Sequence, residues 1–436
     1  MIRFKQWWVS IFLFLLILVY LTIFFILNDS SNKEITKIYF ADRITPAHKM
    51  LIERYNELKA GIVKVIPIDF PNFDFSTNER KEILARSLRG TGDGIDILAV
   101  DQIWVQRFAK WCEPIDNYFT NDEKNKILPA ALESCYSGGQ LVAVPLDLVT
   151  GIIYYREDIL KEQKNGEQII QQIKNNITWD EFVKLKSKLN LKNPFYIFQA
   201  ADYEGLICNF MELLLSQNSN YFVEKGFFFN TPEAKRALQL LVDLVNKYGL
   251  TTSKVTNFTE VSSYEYFIKN DGLFIRGWQS FDKDFEDAPF DSIKEKHLRK
   301  APLPHLSGCK PASIFGGWDL MISKFSNKKS EAIDFMKFLI SNESQELFYK
   351  YGGYLPIVNS FYEDPKYLNK YPEIAEMKKM LKIGIHRPSH EEYTRYSQIM
   401  SYYFELAIKN VISVNEALKK ATNSIGLDKN RSEDYK

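Results

Sequence analysis

At 436 residues, the chain exceeds the size at which one hydrophobic core stops growing, so two lobes or two domains are expected. Hydrophobic residues make up 45% of it and charged residues 25%, and 56 basic against 55 acidic side chains give a formal net charge of +1. That balance, with the signs interspersed, excludes the basic excess of a nucleic-acid binder and leaves an ordinary globular composition.

Trp7 to Leu27 is an uncharged apolar stretch that would span roughly 30 Å as a helix, enough to cross a bilayer. It stays bulky to its end, with no small-residue cleavage site and no nearby cysteine for lipid attachment, and reads as an uncleaved anchor. The alternative is a cleaved signal with an atypical site. Arg3 and Lys5 precede the stretch, so residues 1–6 form a cytoplasmic stub and the remainder lies outside the membrane. A polar spacer covers 28–34.

Ile35 to Ala41 has strand composition, and Pro46 to Lys59 has helical spacing behind an initial proline. The run from Ile62 to Phe70 is nearly continuously apolar, as in a strand covered on both faces. Lys81 to Arg89 is a short helix, and Asp96 to Val100 is the third strand. This alternation predicts an α/β fold with a mostly parallel sheet, whose ligand sites fall at the carboxyl ends of the strands. Helices follow at Thr231 to Gly249, Lys328 to Ser341 and Val414 to Gly426, the first with a Thr cap and a terminal Gly. The charged tail 427–436 reads as disordered.

Several chemistries find no support. The glycine-rich Gly90 to Gly94 precedes a strand, whereas a dinucleotide loop must follow one. His386 and His390 are separated by Pro388, and the four cysteines have no metal spacing, so no metal or cofactor is expected. A bridge between Cys112 and Cys135 stays open, with isolated thiols the simpler reading. No nucleophilic triad is recognisable. Paired carboxylates of a glycoside hydrolase meet only in space and stay open as an alternative.

GDGIDILAVDQIWVQRFAKWCEPID (92–116), VPLDLVTGIIYYREDIL (144–160), TWDEF (178–182) and YEGLICNFMELL (203–214) are followed by FIRGW (274–278). GGWDLMISKFSNKKSEAIDFMKFLISNESQ (316–345), GGYLP (352–356) and RPSHEEYTRYSQI (387–399) complete an ordered series. In these segments the chain resembles the family 1 extracellular solute-binding proteins of bacterial ABC importers, the trehalose and maltose type in particular. The resemblance implies a two-lobed periplasmic-binding-protein fold of type II, here preceded by one transmembrane helix. The first lobe would hold 35–146 and 300–348, the second 147–299 and 349–426. Hinges would lie near Val144 to Val149 and Leu298 to His305, with a third crossing around Lys350. It also implies a monomeric, non-enzymatic capture subunit that holds a di- or oligosaccharide outside the cell membrane and hands it to permease subunits. A receptor-linked sensor module is the alternative.

A pyranose ring offers rim hydroxyls and weakly polar C–H faces, so its site needs fixed acceptors, donors and aromatic planes. The resemblance places such groups at Asp101 and Trp104, at Tyr203 and Glu204, and at Arg276 and Trp278. Gly317, Trp318 and Asp319, then Arg387, with Asp42, Asp147 and Tyr354, complete the expected site. Other roles compete: Asp101 suits a helix cap, Glu204 a first-turn charge, and Arg276 a buried ion pair. Three positions depart from the family pattern. Gly277 replaces an amide, Val149 stands where an acid is common, with Asp147 two residues earlier, and no arginine follows Leu355-Pro356 closely.

Overall fold

The structure, a computed structural model, describes residues 12–23, 34–71, 77–284 and 292–433. Residues 12–23 form a helix whose side chains are all exposed. The rest of the expected anchor, 7–11 and 24–27, lies outside the described residues. Among the described residues no helix is long and apolar enough to cross a membrane.

The chain enters its first lobe through β1 (Thr36–Asp42), α1 (Pro46–Leu58), β2 (Val63–Asp69), α2 (Thr77–Arg89) and β3 (Ile97–Asp101). Thr45 caps α1 in a reciprocal box with His48, and Pro46 occupies the first turn, where its missing N–H costs nothing. A small hairpin of β4 (Tyr136–Ser137) and β5 (Gln140–Leu141) precedes β6 (Val144–Pro145). The second lobe begins with β7 (Val149–Arg156), buried along its whole length, and continues through β8 (Tyr196–Ile197) and α3 (Glu204–Gln217). It adds β9 (Phe274–Trp278), β10 (Leu298–Ala301) and β11 (Ser313–Gly316) before β12 (Trp318–Ile322) returns to the first lobe. The carboxyl-terminal part supplies β13 (Gly384–Ile385), α4 (Tyr393–Ile408) and α5 (Val414–Glu433).

Besides the β4-β5 hairpin, two larger sheets form, in the order β2-β1-β3-β12-β6 and β13-β11-β7-β9-β8, with β10 also on β7. The α/β two-lobed architecture expected from sequence is therefore present, but the sheets are mixed rather than mostly parallel, because the returning β12 runs against β3 and β6 and the central β7 runs against β9, β10 and β11. β1 pairs parallel with β2 and β3, and β12 runs antiparallel to β3 with Trp318 opposite Asp101.

The crossings lie partly elsewhere than expected. The first, between β6 and β7, falls inside the expected Val144 to Val149 segment. Leu298 to His305 is not a crossing: Leu298 to Ala301 pairs with β7, Leu and Ala buried, and stays in the second sheet. The return comes at Gly317, with φ +141°, a value open to glycine alone, so residues 300–316 belong with the second sheet. The third comes later than the expected Lys350: beyond the helix Asn342–Gly352 the chain still bonds to 126–128 through Ile357 and Asn359, and it reaches the second sheet only at β13. The last helix does not stop at Gly426 but continues to Glu433, because the tail is rich in residues that a helix tolerates and one glycine costs it only about 1 kcal/mol. All four cysteines are free thiols, three of them buried.

Candidate functional site

Where the two sheets face each other across the crossings, a cavity of about 330 Å³ opens. Strand ends build it. Asp42 closes β1, Asp101 closes β3, Trp278 closes β9, and Trp318 opens the antiparallel β12 on the same edge as Asp101. Asp147 lies in the first crossing and Gly317 in the second.

Asp42 is buried, with Arg80 Nη2 donating to it at 2.8 Å and His48 Nε2 lying 3.3 Å from its other oxygen. Burial alone would raise its carboxyl, but the contact with His48, the charges of His48 and Arg80 and the Arg43 N–H outweigh it and hold Asp42 below its ordinary value. The Arg80 guanidinium stacks 4.2 Å over the ring of Trp318. Asp147 accepts the backbone N–H of Trp318 at 3.0 Å, and a side chain at Gly317 would meet the Asp147 carbonyl at 2.5 Å. The two crossings are thereby clipped together directly beneath the tryptophan.

Arg387 ties the lobes to one another. Its Nη2 donates to Asp101 at 2.5 Å and its Nη1 to Glu204 at 3.0 Å, Asp101 belonging to the first sheet and Glu204 to the first turn of α3. Glu204 is further held by Tyr393 at 2.6 Å and by Ser397, both on α4. Burial pulls Arg387 down, yet the charges of Asp101 and Glu204 more than offset it and hold the guanidinium well above its ordinary value. Asp101 also accepts the N–H of Ile103 at 3.2 Å, so it caps the following turn as well as lining the cavity.

The second lobe contributes Trp278, Tyr203 and Glu260. Tyr203 folds back over its own helix, which only a glycine at 205 permits, since a Cβ there would lie 2.1 Å from the phenol oxygen. Burial lifts the Glu260 carboxyl above its ordinary range. Tyr354, stacked on Phe348 at 4.3 Å, and Val149 complete the wall near the crossings. Val149, the departure noted in the sequence, thus presents methyl groups where a carboxylate is common.

Three expected residues do not line the cavity. Trp104 is buried behind it, edge-on to Trp318 at 6.5 Å. Asp319 points to the other face of β12, where Ser134 donates to it at 2.9 Å. Arg276 is fully buried in an ion pair with Glu212 at 2.6 Å, the competing role that its sequence allowed. Arg80, His48 and Glu260 were missed. Charged residues near helix starts read as solvent-facing from sequence, and only the Thr45–His48 box carried a local signal.

The sequence profile of the bacterial extracellular solute-binding proteins matches residues 41–346. The chain belongs to that family. A probable ABC transporter-binding protein from Deinococcus radiodurans is 25% identical over 350 residues, 78% of this chain and 80% of the relative. A lactose-binding protein of Rhizobium radiobacter is 27% identical over 234 residues, 52% of this chain and 50% of its own length. Among solved structures, maltose-bound MalE3 of T. maritima superimposes with a TM-score of 0.78 at 27% identity, over 90% of this chain and 99% of that one. A solute-binding protein from Thermotoga Lettingae bound with α-D-tagatose has a TM-score of 0.75 at 19% identity, over 90% and 99%, a likeness of fold.

Proposed function

We propose that this chain is the capture subunit of a sugar importer, holding a neutral di- or oligosaccharide between its lobes and passing it unchanged to membrane-embedded permease subunits. The observation that carries this reading is the pairing of Trp278 and Trp318 on the wall of one cavity, among the acceptors Asp101, Asp147 and Glu260. Flat apolar rings suit the C–H faces of a pyranose, and carboxylates suit its hydroxyls. The maltose bound by MalE3 and the lactose named for the Rhizobium radiobacter relative are of that class. The apolar stretch Trp7 to Leu27 would tether the lobes to the outer face of the cell membrane.

A thermal-shift screen over neutral monosaccharides, disaccharides and polyols tests the reading. A ligand at about a hundred times its Kd stabilises the folded chain by about 2.7 kcal/mol, a clear shift of the melting temperature. Melting temperatures unmoved by every sugar at millimolar concentration, but raised by an amino acid or a peptide, would replace it.

A further inference from the structure

Arg276 carries no role in the binding just described, yet its surroundings are unusual. The side chain is fully buried, and Nη2 donates to Glu212 at 2.6 Å, while Nε and Nη1 have no hydrogen-bond partner. Buried donors seldom stay unmet, because each left so costs about 1–3 kcal/mol. Here the guanidinium carbon lies 4.0 Å above the ring of Trp278, so the spread positive charge meets the π face of the indole. The same arrangement recurs on Trp318, where Arg80 stacks at 4.2 Å and its Nε also lacks a hydrogen-bond partner.

Two glycines make room for the stack. A Cβ at Gly151, opposite Trp278 on β7, would lie 2.1 Å from the Glu212 carboxylate and 2.8 Å from Arg276 Nη2. At Gly316 it would meet Cζ3 of the Trp278 ring at 3.0 Å. One face of the indole is therefore covered by the guanidinium and one edge rests on bare backbone.

We infer that Arg276 is a positioning residue that fixes the Trp278 ring from behind, so that the ring offers the cavity one face in one orientation. The inference rests on the sugar-cleft reading only for its effect on affinity. Lysine would not replace the arginine, since an ammonium cannot lie flat on a ring while pairing with Glu212.

Arg276→Met combined with Glu212→Gln removes the stack without orphaning a buried carboxylate, and Gly151→Ala displaces the guanidinium without altering it. Near-ultraviolet circular dichroism is recorded for each variant with and without Trp278→Phe, so that the difference isolates the Trp278 band. The band should be sharp in the natural chain and collapse in both variants, with the bands of the other tryptophans kept. Calorimetric titration with maltose, lactose and trehalose should show the Arg276→Met/Glu212→Gln variant binding about tenfold more weakly. Adding Trp278→Ala should then produce no loss beyond that of Trp278→Ala alone, because the arginine acts through the ring. A Trp278 band retained in both variants overturns the inference whatever the sugars do, and so do losses that simply add. A band that collapses while Trp278→Ala leaves affinity intact would instead remove Trp278 from the sugar site, a failure of the proposed function.

Discussion

Replacing Arg387 by Met tests whether the lobes are held together by charge. Arg387 is 4% exposed, and its guanidinium serves two carboxylates, Asp101 at 2.5 Å and Glu204 at 3.0 Å. With charge centres about 4 Å apart and an effective dielectric constant near 20, each attraction is about 4 kcal/mol before the cost of desolvation is set against it. Removing one partner of a buried pair leaves the other charges uncompensated, and the expected net loss is about 3–5 kcal/mol. Glu204 would keep Tyr393 and Ser397, and Asp101 would keep the N–H of Ile103, so the loss falls mainly on the contact between lobes. Urea melts followed by tryptophan fluorescence give the magnitude, and small-angle scattering without ligand should show a larger radius of gyration. Adding Glu204→Gln to Arg387→Met should recover part of the stability, because one buried charge goes with the other. A loss below about 1 kcal/mol with an unchanged radius would mean that the pair behaves as a screened surface contact, and the reasoning would fail.

Burial and, less strongly, the charge of Asp101 raise the Asp319 carboxyl to about 7 from an ordinary 3.8, against hydrogen bonds from Ser134 and Cys135. The folded chain then keeps a proton that the unfolded chain has released, so stability should decline as pH rises from about 4 to about 7, by up to a few kcal/mol, and Asp319→Asn should flatten that decline in urea midpoints. Gly317→Ala places a Cβ 2.5 Å from the Asp147 carbonyl at φ +141°; it should cost at least about 1–3 kcal/mol in the same melts, and a neutral result would remove the tight second crossing. Trp318→Ala should weaken binding of the identified sugar by roughly ten- to a hundredfold in calorimetric titration, with a loss of unfolding stability well short of the about 3–5 kcal/mol typical of a core tryptophan. Intact-mass measurement on membrane fractions should return the full chain; a mature chain starting after Leu27 would end the anchor proposal.

The first lobe was legible because its signals are local. Thr45-Pro46 starts a helix, the run from Ile62 to Phe70 makes a strand, and the segment 96–101 ends on a carboxylate where parallel sheets present ligands; the expected cover on both faces of Ile62 to Phe70 is absent, because β2 is an edge strand with only Val63 and Val65 buried. The second crossing was not legible, because Leu298 to Ala301 and Ser313 to Gly316 both look like strands and only pairing with β7 assigns them to a sheet. Strand alternation could have separated Trp318 from Asp319, which must face opposite sides of β12. It could not have separated Arg276 from Trp278, which share a face of β9 and differ only in depth. The depth is set by Glu212 and Gly151, far away in sequence. Arg80 and Glu260 were hidden for the same reason: near the start of a helix, a charge aimed into a cavity and one aimed at solvent look identical.

The clip between Trp318 and Asp147 has a kinetic consequence. Leu146 N–H donates to the Trp318 carbonyl at 2.8 Å, and Trp318 N–H donates to Asp147, so the backbone that carries this indole is bolted to the first crossing. Trp278, by contrast, travels with the second sheet. If the lobes part as the proposed capture requires, the first ring would stay with the hinge and the second would move away with its sheet. A sugar would therefore touch down on Trp318 before Trp278 covers it, so that the floor governs how often an encounter is productive and the arriving ring governs how long the sugar stays.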